Sequence, residues 1–272
     1  MSSSSTDKVF AGAVPKVYET YLVPLLFEPY AADLVKRVAS RSLTRVLEVA
    51  AGTGVVTRGM AASLPERTSI VATDLNQPML DQAAVVGTKR PVTWRQADAM
   101  QLPFEDGTFD AVICQFGVMF FPEKQRAFAE ARRVLRPGGV YIFNVWDRLD
   151  QNEFADAITE GLAAKYPADP PRFLPRTPYG YYDHATIKQD LTASGFNAVP
   201  DIVTVTQRSR AKAALDPAIA YCQGTPLRGE IEARDSSGLE EATKAAAEAV
   251  AKRFGQGPVD GKIQAHVVTI ER

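Results

Sequence analysis

Cysteine and histidine are scarce in this chain, with two of each in 272 residues. Cys114 and Cys222 provide neither a disulfide framework nor a zinc spacing, so no metal is expected. No apolar run approaches the length that spans a bilayer. A formal charge of -1 withholds the basic footprint that dedicated nucleic-acid binding needs. The opening M-S-S-S-S-T-D-K lacks the hydrophobic region of a signal peptide and is expected to be a disordered tail, with cytoplasmic residence as the default. No internal repeat is found. What remains is 46% apolar and 23% charged residues, an ordinary globular composition with length enough for a substantial core.

The most informative stretch is Val46–Gly54, V-L-E-V-A-A-G-T-G. Val46, Leu47 and Val49 suit a buried parallel strand. Glu48 is an acid at the end of that run, where an unpaired charge is not tolerated. Small residues and glycines follow, letting backbone N–H groups approach a ligand closely. Val55, Val56, Met60 and Leu64 then have helical spacing, so the loop opens a helix.

Before this loop, Pro15–Pro29 is aromatic and apolar but broken by prolines, which predicts a lid-like or packing segment of short helical turns. Ala31, Leu34, Val35, Val38 and Ala39 mark one face of a helix. After the loop, strands are expected over Ser69–Thr73, Val92–Ala97, Phe109–Gln115 and Val140–Trp146. Asn76 is placed to cap the helix after the first of these. Phe128, Ala131, Val134 and Leu135 line a helix that the breaker Arg136–Gly139 stops. This alternation predicts a parallel sheet covered on both faces.

The second half departs from the alternation. Capping boxes are expected at Asp150/Glu153 and Ser237/Glu240. Tyr166–Tyr182 shows no periodicity. Asp183 caps a helix through Leu191 that ends at Gly195. Val199–Thr206 and Ala265–Arg272 read as strands, with a short helix from Asp216 to near Gly224 and a longer one ending at Gly255.

Three acids, Glu48, Asp74 and Asp98, stand at the ends of successive strands, where open parallel sheets bind ligands. Any one could merely cap a helix; three in this order point to a ligand. Asp74 follows the glycine loop by about twenty residues, the spacing at which an acid meets ribose hydroxyls. A nicotinamide site wants G-x-G-x-x-G, whereas here Gly52 and Gly54 are followed by Thr57. An acid at Glu48 also suits an ammonium group better than a pyrophosphate.

Four blocks now carry a family resemblance: Val46–Gly54, Val71–Leu80 (V-A-T-D-L-N-Q-P-M-L), Gln96–Phe104 (Q-A-D-A-M-Q-L-P-F) and Arg133–Gly139 (R-V-L-R-P-G-G). In this order, across about Arg45–Trp146, they resemble the class I S-adenosylmethionine (SAM) dependent methyltransferases, most of all the branch containing the ubiquinone and menaquinone C-methyltransferases. The resemblance implies an α/β fold: Rossmann-like, doubly wound, with a mostly parallel seven-stranded sheet, helices on both faces and an inserted helical lid. Residues 1–44 would form the tail and N-terminal helical lid segment. Residues 45–272 would form the SAM-binding domain, with helical insertions near 150–182 and 211–256. SAM would be the cofactor and S-adenosylhomocysteine the product.

On the same resemblance, Ala50, Gly52, Thr53 and Gly54 would face the methionine part, supported by Glu48. Asp74 would hold the ribose, Leu75 and Met79 would sandwich the adenine, and Asp98 with the Ala99 N–H would read its edge. Gln115 would lie beside the transferred methyl. Ala50 replaces a frequent glycine and is tolerable if its φ stays negative.

Methyl transfer from a sulfonium needs alignment and exclusion of water more than acid–base help, and no catalytic base is evident. His184 and His266 read as structural, and Cys114 as core. The acceptor pocket is expected from Tyr18, Tyr21, Phe116, Met119, Trp146 and Tyr182, an apolar set suited to a small, partly apolar molecule. The tetrapeptide that marks amino-group methylation in this family is missing after the fourth strand, which, with the charge, argues against nucleic acid. A homodimer is one expected assembly. Two alternatives stay open: a SAM-binding protein without methyl transfer, and an NAD-dependent oxidoreductase.

Overall fold

The computed structural model describes Asp7 and residues 10–272; the expected disordered tail lies, Asp7 apart, outside the described residues. The strands are β1 (Arg45–Val49), β2 (Ser69–Asp74), β3 (Thr93–Gln96), β4 (Phe109–Gln115), β5 (Leu135–Trp146), β6 (Asp201–Ala211) and β7 (Val259–Glu271). Helices in the first half are α1 (Val14–Val17), α2 (Glu28–Ala39), α3 (Val55–Ser63), α4 (Gln77–Val86) and α5 (Lys124–Val134). The second half holds α6 (Glu153–Lys165), α7 (Phe173–Arg176), α8 (His184–Ala193), α9 (Leu215–Gln223), α10 (Leu227–Arg234) and α11 (Leu239–Phe254).

Among the described residues, seven strands form one sheet in the order β3-β2-β1-β4-β5-β7-β6. The pairs β1–β2, β2–β3, β1–β4 and β4–β5 are parallel, the arrangement that strands joined by crossover helices adopt. The Gly138 N–H donates to the Arg272 carbonyl at 3.2 Å, and the Asp147 N–H to that of Gln264 at 3.0 Å, so β7 runs antiparallel to β5. The chain winds outward from β1 through β2 and β3, then returns to place β4 on the other side. The switch point, where such sheets bind ligands, therefore lies between β1 and β4.

The chain divides into two packing units, the first being Glu28–Val145, Tyr181–Val205 and His266–Arg272. Here Leu34 and Val38 of α2, with Val56 and Met60 of α3, pack against Val46, Ile70, Ile113 and Ile142 on one sheet face. On the other face Phe128 of α5 meets Phe143 at 5.4 Å and Tyr141 at 5.9 Å between ring centroids. Both faces are thus covered, as the apolar strands demand.

The second unit is Met1–Phe27, Trp146–Gly180 and Thr206–Ala265. Gly161 of α6 lies so close to α11 that a Cβ there would sit 2.7 Å from that of Ala249. Arg253 of α11 bridges back to Asp156 and Glu160 of α6 at 2.7 and 2.6 Å. The buried Asp7 receives two hydrogen bonds from Arg176, at 2.6 and 3.1 Å, and Arg176 also meets Glu230 at 2.8 Å.

Several local expectations are corrected. Pro15–Pro29 forms more helix than short turns: Tyr18–Phe27 is π-helical with Pro24 inside it, and α2 follows directly. The wider turn accommodates a proline that can offer no N–H to the ladder. Neither capping box forms. The Glu153 carboxylate accepts from the Lys262 N–H instead, and the Ser237 hydroxyl donates to Asp235 at 2.9 Å. Asn76 occupies the N-cap position without a side-chain cap, although Asp183 does cap α8 by accepting from Thr186 N–H. Strands β5, β6 and β7 extend beyond their expected bounds, and α10 is an addition.

Candidate active site at the switch point

Strand alternation assembles the site. Register pairs Val46 with Ile70 and Ala111, then Glu48 with Ala72 and Ile113, then Gln115 with Asn144. Because side chains two apart share a face, Asp74, Glu48, Gln115 and Asn144 stand above the apolar rows on the face that α2 and α3 cover. The apolar rows give way to polar ones at the C-terminal edge, beside the switch point.

The glycine loop is held from below and from the side. Ala51 N–H donates to the Thr73 carbonyl at 2.9 Å, and the Thr73 hydroxyl to the Glu48 carbonyl at 3.0 Å. Gly52 N–H donates to Asp74 Oδ2 at 2.9 Å, while Asn76 N–H donates to Oδ1 at 2.8 Å. Gly52 and Gly54 have φ of 57° and 84°, a region glycine enters freely. A Cβ on Gly54 would also lie 2.7 Å from the Trp94 ring. Ala50 has φ 55°, not the negative value expected, so the loop carries strain that a glycine would not. The turn needs a left-handed residue at this position, and alanine supplies it at a cost.

Glu48 is fully buried and accepts a hydrogen bond from the Thr57 hydroxyl. Burial pushes its pKa up to about 8 against the lowering effects of Thr57 and Arg58, so it is mostly protonated at neutral pH. Asp74 is also raised by burial, opposed by the Asn76 and Gly52 N–H groups. Asp98 accepts from Met100 N–H at 2.9 Å. Ala99 and Met79 are buried, Leu75 is 39% exposed, and the Leu75 carbonyl accepts from the Gln96 side chain at 2.9 Å.

The expected acceptor residues fall into two groups. In the second unit Tyr18 stacks on Phe27 at 5.0 Å, Phe27 meets Trp146 at 6.3 Å, and Trp146 meets Tyr179 at 5.9 Å. Tyr21 is half-buried on the same π-helical segment. The Tyr179 and Tyr221 hydroxyls pair at 2.9 Å, neither of them singled out from the sequence. In the first unit Phe116 is buried edge-on to Tyr30 at 5.2 Å, Met119 is buried and Tyr182 is exposed. His184 and His266 meet edge to face at 4.3 Å, and the Thr204 hydroxyl lies 3.0 Å from His266 Nδ1. Cys114 is core, its thiol pushed up to about 12 by burial.

Thr57, which in the sequence stands only where a third glycine is missing, is the partner of Glu48. Asn144 is not among the expected site residues, although an amide two residues beyond Ile142 in an apolar strand is a readable signal, and it is fully buried.

A nucleoside cofactor fits these residues on two observations. The Thr53 hydroxyl at the loop tip is buried without a hydrogen-bond partner, as a polar ligand resting on the loop would require. The positions flanking it are glycines, one of which no side chain could replace without moving Trp94. The fold is thus of the Rossmann-like α/β class, with a glycine loop and a polar row at its switch point.

Comparison with known proteins narrows the class. Residues 47–143 match the family model described as a methyltransferase domain. The ubiquinone/menaquinone biosynthesis C-methyltransferase UbiE of Saccharophagus degradans is 31% identical over 203 residues, covering 70% of this chain and 77% of that protein. UbiE of Chromobacterium violaceum is 33% identical over 171 residues, covering 58% and 69%. Among solved structures, the YcgJ protein from Bacillus subtilis has a TM-score of 0.56 at 16% identity, covering 90% of this chain and 98% of that one. A Haemonchus contortus phosphoethanolamine N-methyltransferase 2 in complex with S-adenosyl-L-methionine has a TM-score of 0.56 at 16% identity, covering 94% and 56%. The chain belongs to the methyltransferase family and is a class I SAM-dependent methyltransferase resembling UbiE. The nicotinamide alternative falls with that assignment. Among the described residues no helix is long and apolar enough to cross a membrane.

Proposed function

We propose that this enzyme methylates a small, partly apolar acceptor, a flat ring of the kind quinone biosynthesis presents. The observation that carries the reading is the polar row at the switch point, with Asp74 bound to the Gly52 N–H at 2.9 Å. SAM, when bound, supplies an activated methyl on a sulfonium. Asp74 then holds the ribose hydroxyls, since Oδ2 keeps a lone pair beyond the one Gly52 uses. Thr53 with the backbone of Ala50, Gly52 and Gly54 seats the methionine part, and Glu48 supports the loop through Thr57. Leu75 and Met79 flank the adenine, and Asp98 and the Ala99 N–H read its edge. Gln115 lies beside the reacting methyl. Phe116, Met119 and Tyr182 supply apolar surface that excludes water.

The relatives' role, C-methylation in ubiquinone and menaquinone biosynthesis, supports the acceptor class. The charge of -1 supports a site that does not take nucleic acid. Cytoplasmic residence and a homodimer belong to the same reading. Incubation with SAM and reduced 1,4-naphthalenediol tests it by mass spectrometry. A product heavier by one methylene is expected; turnover of no ring acceptor by SAM-loaded enzyme would refute the acceptor class.

A further inference from the structure

We propose that the Asn144 side-chain N–H2 group binds an oxygen atom of the methyl acceptor. The inference rests on the reading of the strand ends as the methyl-transfer site and names a residue of it that specifies the acceptor.

Asn144 is fully buried near the C-terminal end of β5, paired in register with Gln115 of β4. Its Oδ1 accepts from the Phe116 N–H at 2.8 Å. That bond fixes the carboxamide, because only its oxygen can face an N–H. The other arm is therefore the nitrogen. This nitrogen is buried and makes no hydrogen bond. A buried donor without a protein partner is costly and rare, so its partner is to be sought outside the chain.

A second observation converges on the same place. Phe116 has φ 51°, a left-handed conformation that an aromatic residue adopts only when its surroundings impose it. Asn144 holds it there through the 2.8 Å bond, and Gly117 leaves no slack. A Cβ on Gly117 would lie 2.5 Å from that of Ala50 and 2.7 Å from Cys114 Sγ. Asn144 thus pins the loop after β4 against the loop after β1, at the switch point. Anchoring needs only the carbonyl arm, and the N–H2 is left over.

A carboxamide N–H2 is a pure donor, so its partner must offer lone pairs. Strand order separates two sources of oxygen. The cofactor cradle belongs to β1 and β2, while Asn144 lies two strands from β1 on the opposite side from β2, about 10 Å away at the usual strand spacing. That position suits an acceptor approaching the methyl rather than the ribose or the methionine carboxylate. The partner is a carbonyl or hydroxyl oxygen on the acceptor ring.

Asn144→Asp keeps an oxygen for the Phe116 N–H and, once ionised, removes the donor, so binding is measured above about pH 8. Binding of reduced 1,4-naphthalenediol and of naphthalene would be measured with S-adenosylhomocysteine present, alongside the affinity for S-adenosylhomocysteine itself. The wild type should bind the diol at least tenfold tighter than naphthalene. The variant should reduce that preference below threefold and leave S-adenosylhomocysteine affinity within twofold. An unaltered preference in the variant overturns the proposal, as does a wild type that binds neither ring or does not distinguish them. A tenfold loss of S-adenosylhomocysteine affinity with the preference retained gives the donor to the cofactor and also overturns it. Failure of the wild type to bind S-adenosylhomocysteine strikes the underlying reading instead. Should the variant not fold, the side-chain 15N resonance of Asn144 in wild type decides: it should move with the diol and stay with naphthalene, and the reverse refutes the proposal.

Discussion

The hydroxyl of Thr57, in the first turn of α3, donates to the buried carboxyl of Glu48, at the end of β1. The pair ties the opening of the helix to the strand beneath it, while burial sets the protonation of the loop's support against the lowering effect of Thr57. Burial raises the folded pKa of Glu48 to about 8 from an ordinary 4.5, so between those values the folded chain holds a proton that the unfolded chain releases. Stability therefore falls as pH rises from 5 to 8, by at most about 4 kcal/mol. Urea denaturation across that range should show the decline, and Glu48→Gln should flatten it. A wild-type curve as flat as the variant's would refute the assignment.

If the ammonium group of the zwitterionic amino acid moiety binds near Glu48 as proposed, it should stabilise the ionised form of that carboxyl. Titration of S-adenosylhomocysteine in buffers of different ionisation heat near pH 7 should reveal release of up to one proton. Glu48→Gln should release none from this group.

Loop strain makes opposite predictions at two neighbouring positions. Ala50→Gly relieves a left-handed alanine at φ 55° and should stabilise the chain by up to about 1 kcal/mol, the relief being partly offset by greater freedom in the unfolded state. Gly54→Ala, with φ 84° and the Trp94 ring 2.7 Å from the new Cβ, should destabilise by about 2 kcal/mol and weaken cofactor binding. Denaturation midpoints check both signs.

In the second unit, Arg176→Ala strands Asp7 without its bidentate partner and should cost about 3 kcal/mol. Asp7→Asn, which retains a hydrogen-bonding side chain, should cost less. Limited proteolysis near the N-terminus would register the difference.

Much of this was legible in the sequence, for reasons visible at particular residues. β1, β2 and β4 are apolar runs that only a doubly covered sheet accommodates, and their terminal acids stood out against them. The Asp183 cap was readable because its partner, Thr186, is three residues away. The boxes at Asp150 and Ser237 failed because tertiary or nearer partners claim the same side chains: the Lys262 N–H takes Glu153, and Asp235 takes Ser237. The backbone of Ala50 was hidden because a residue's name does not report its φ. Asn144 was hidden because its meaning depends on Phe116, 28 positions earlier.

Asp74, positioned by Gly52, is the residue proposed to hold the ribose of an adenosyl cofactor. Calorimetric titration of S-adenosylhomocysteine into wild type and Asp74→Ala puts that role to the test. One site per chain is expected in the wild type, with affinity about 10–100-fold weaker in the variant for loss of charged hydrogen bonds. Equal affinity in both proteins, or no binding by folded wild type, would contradict it.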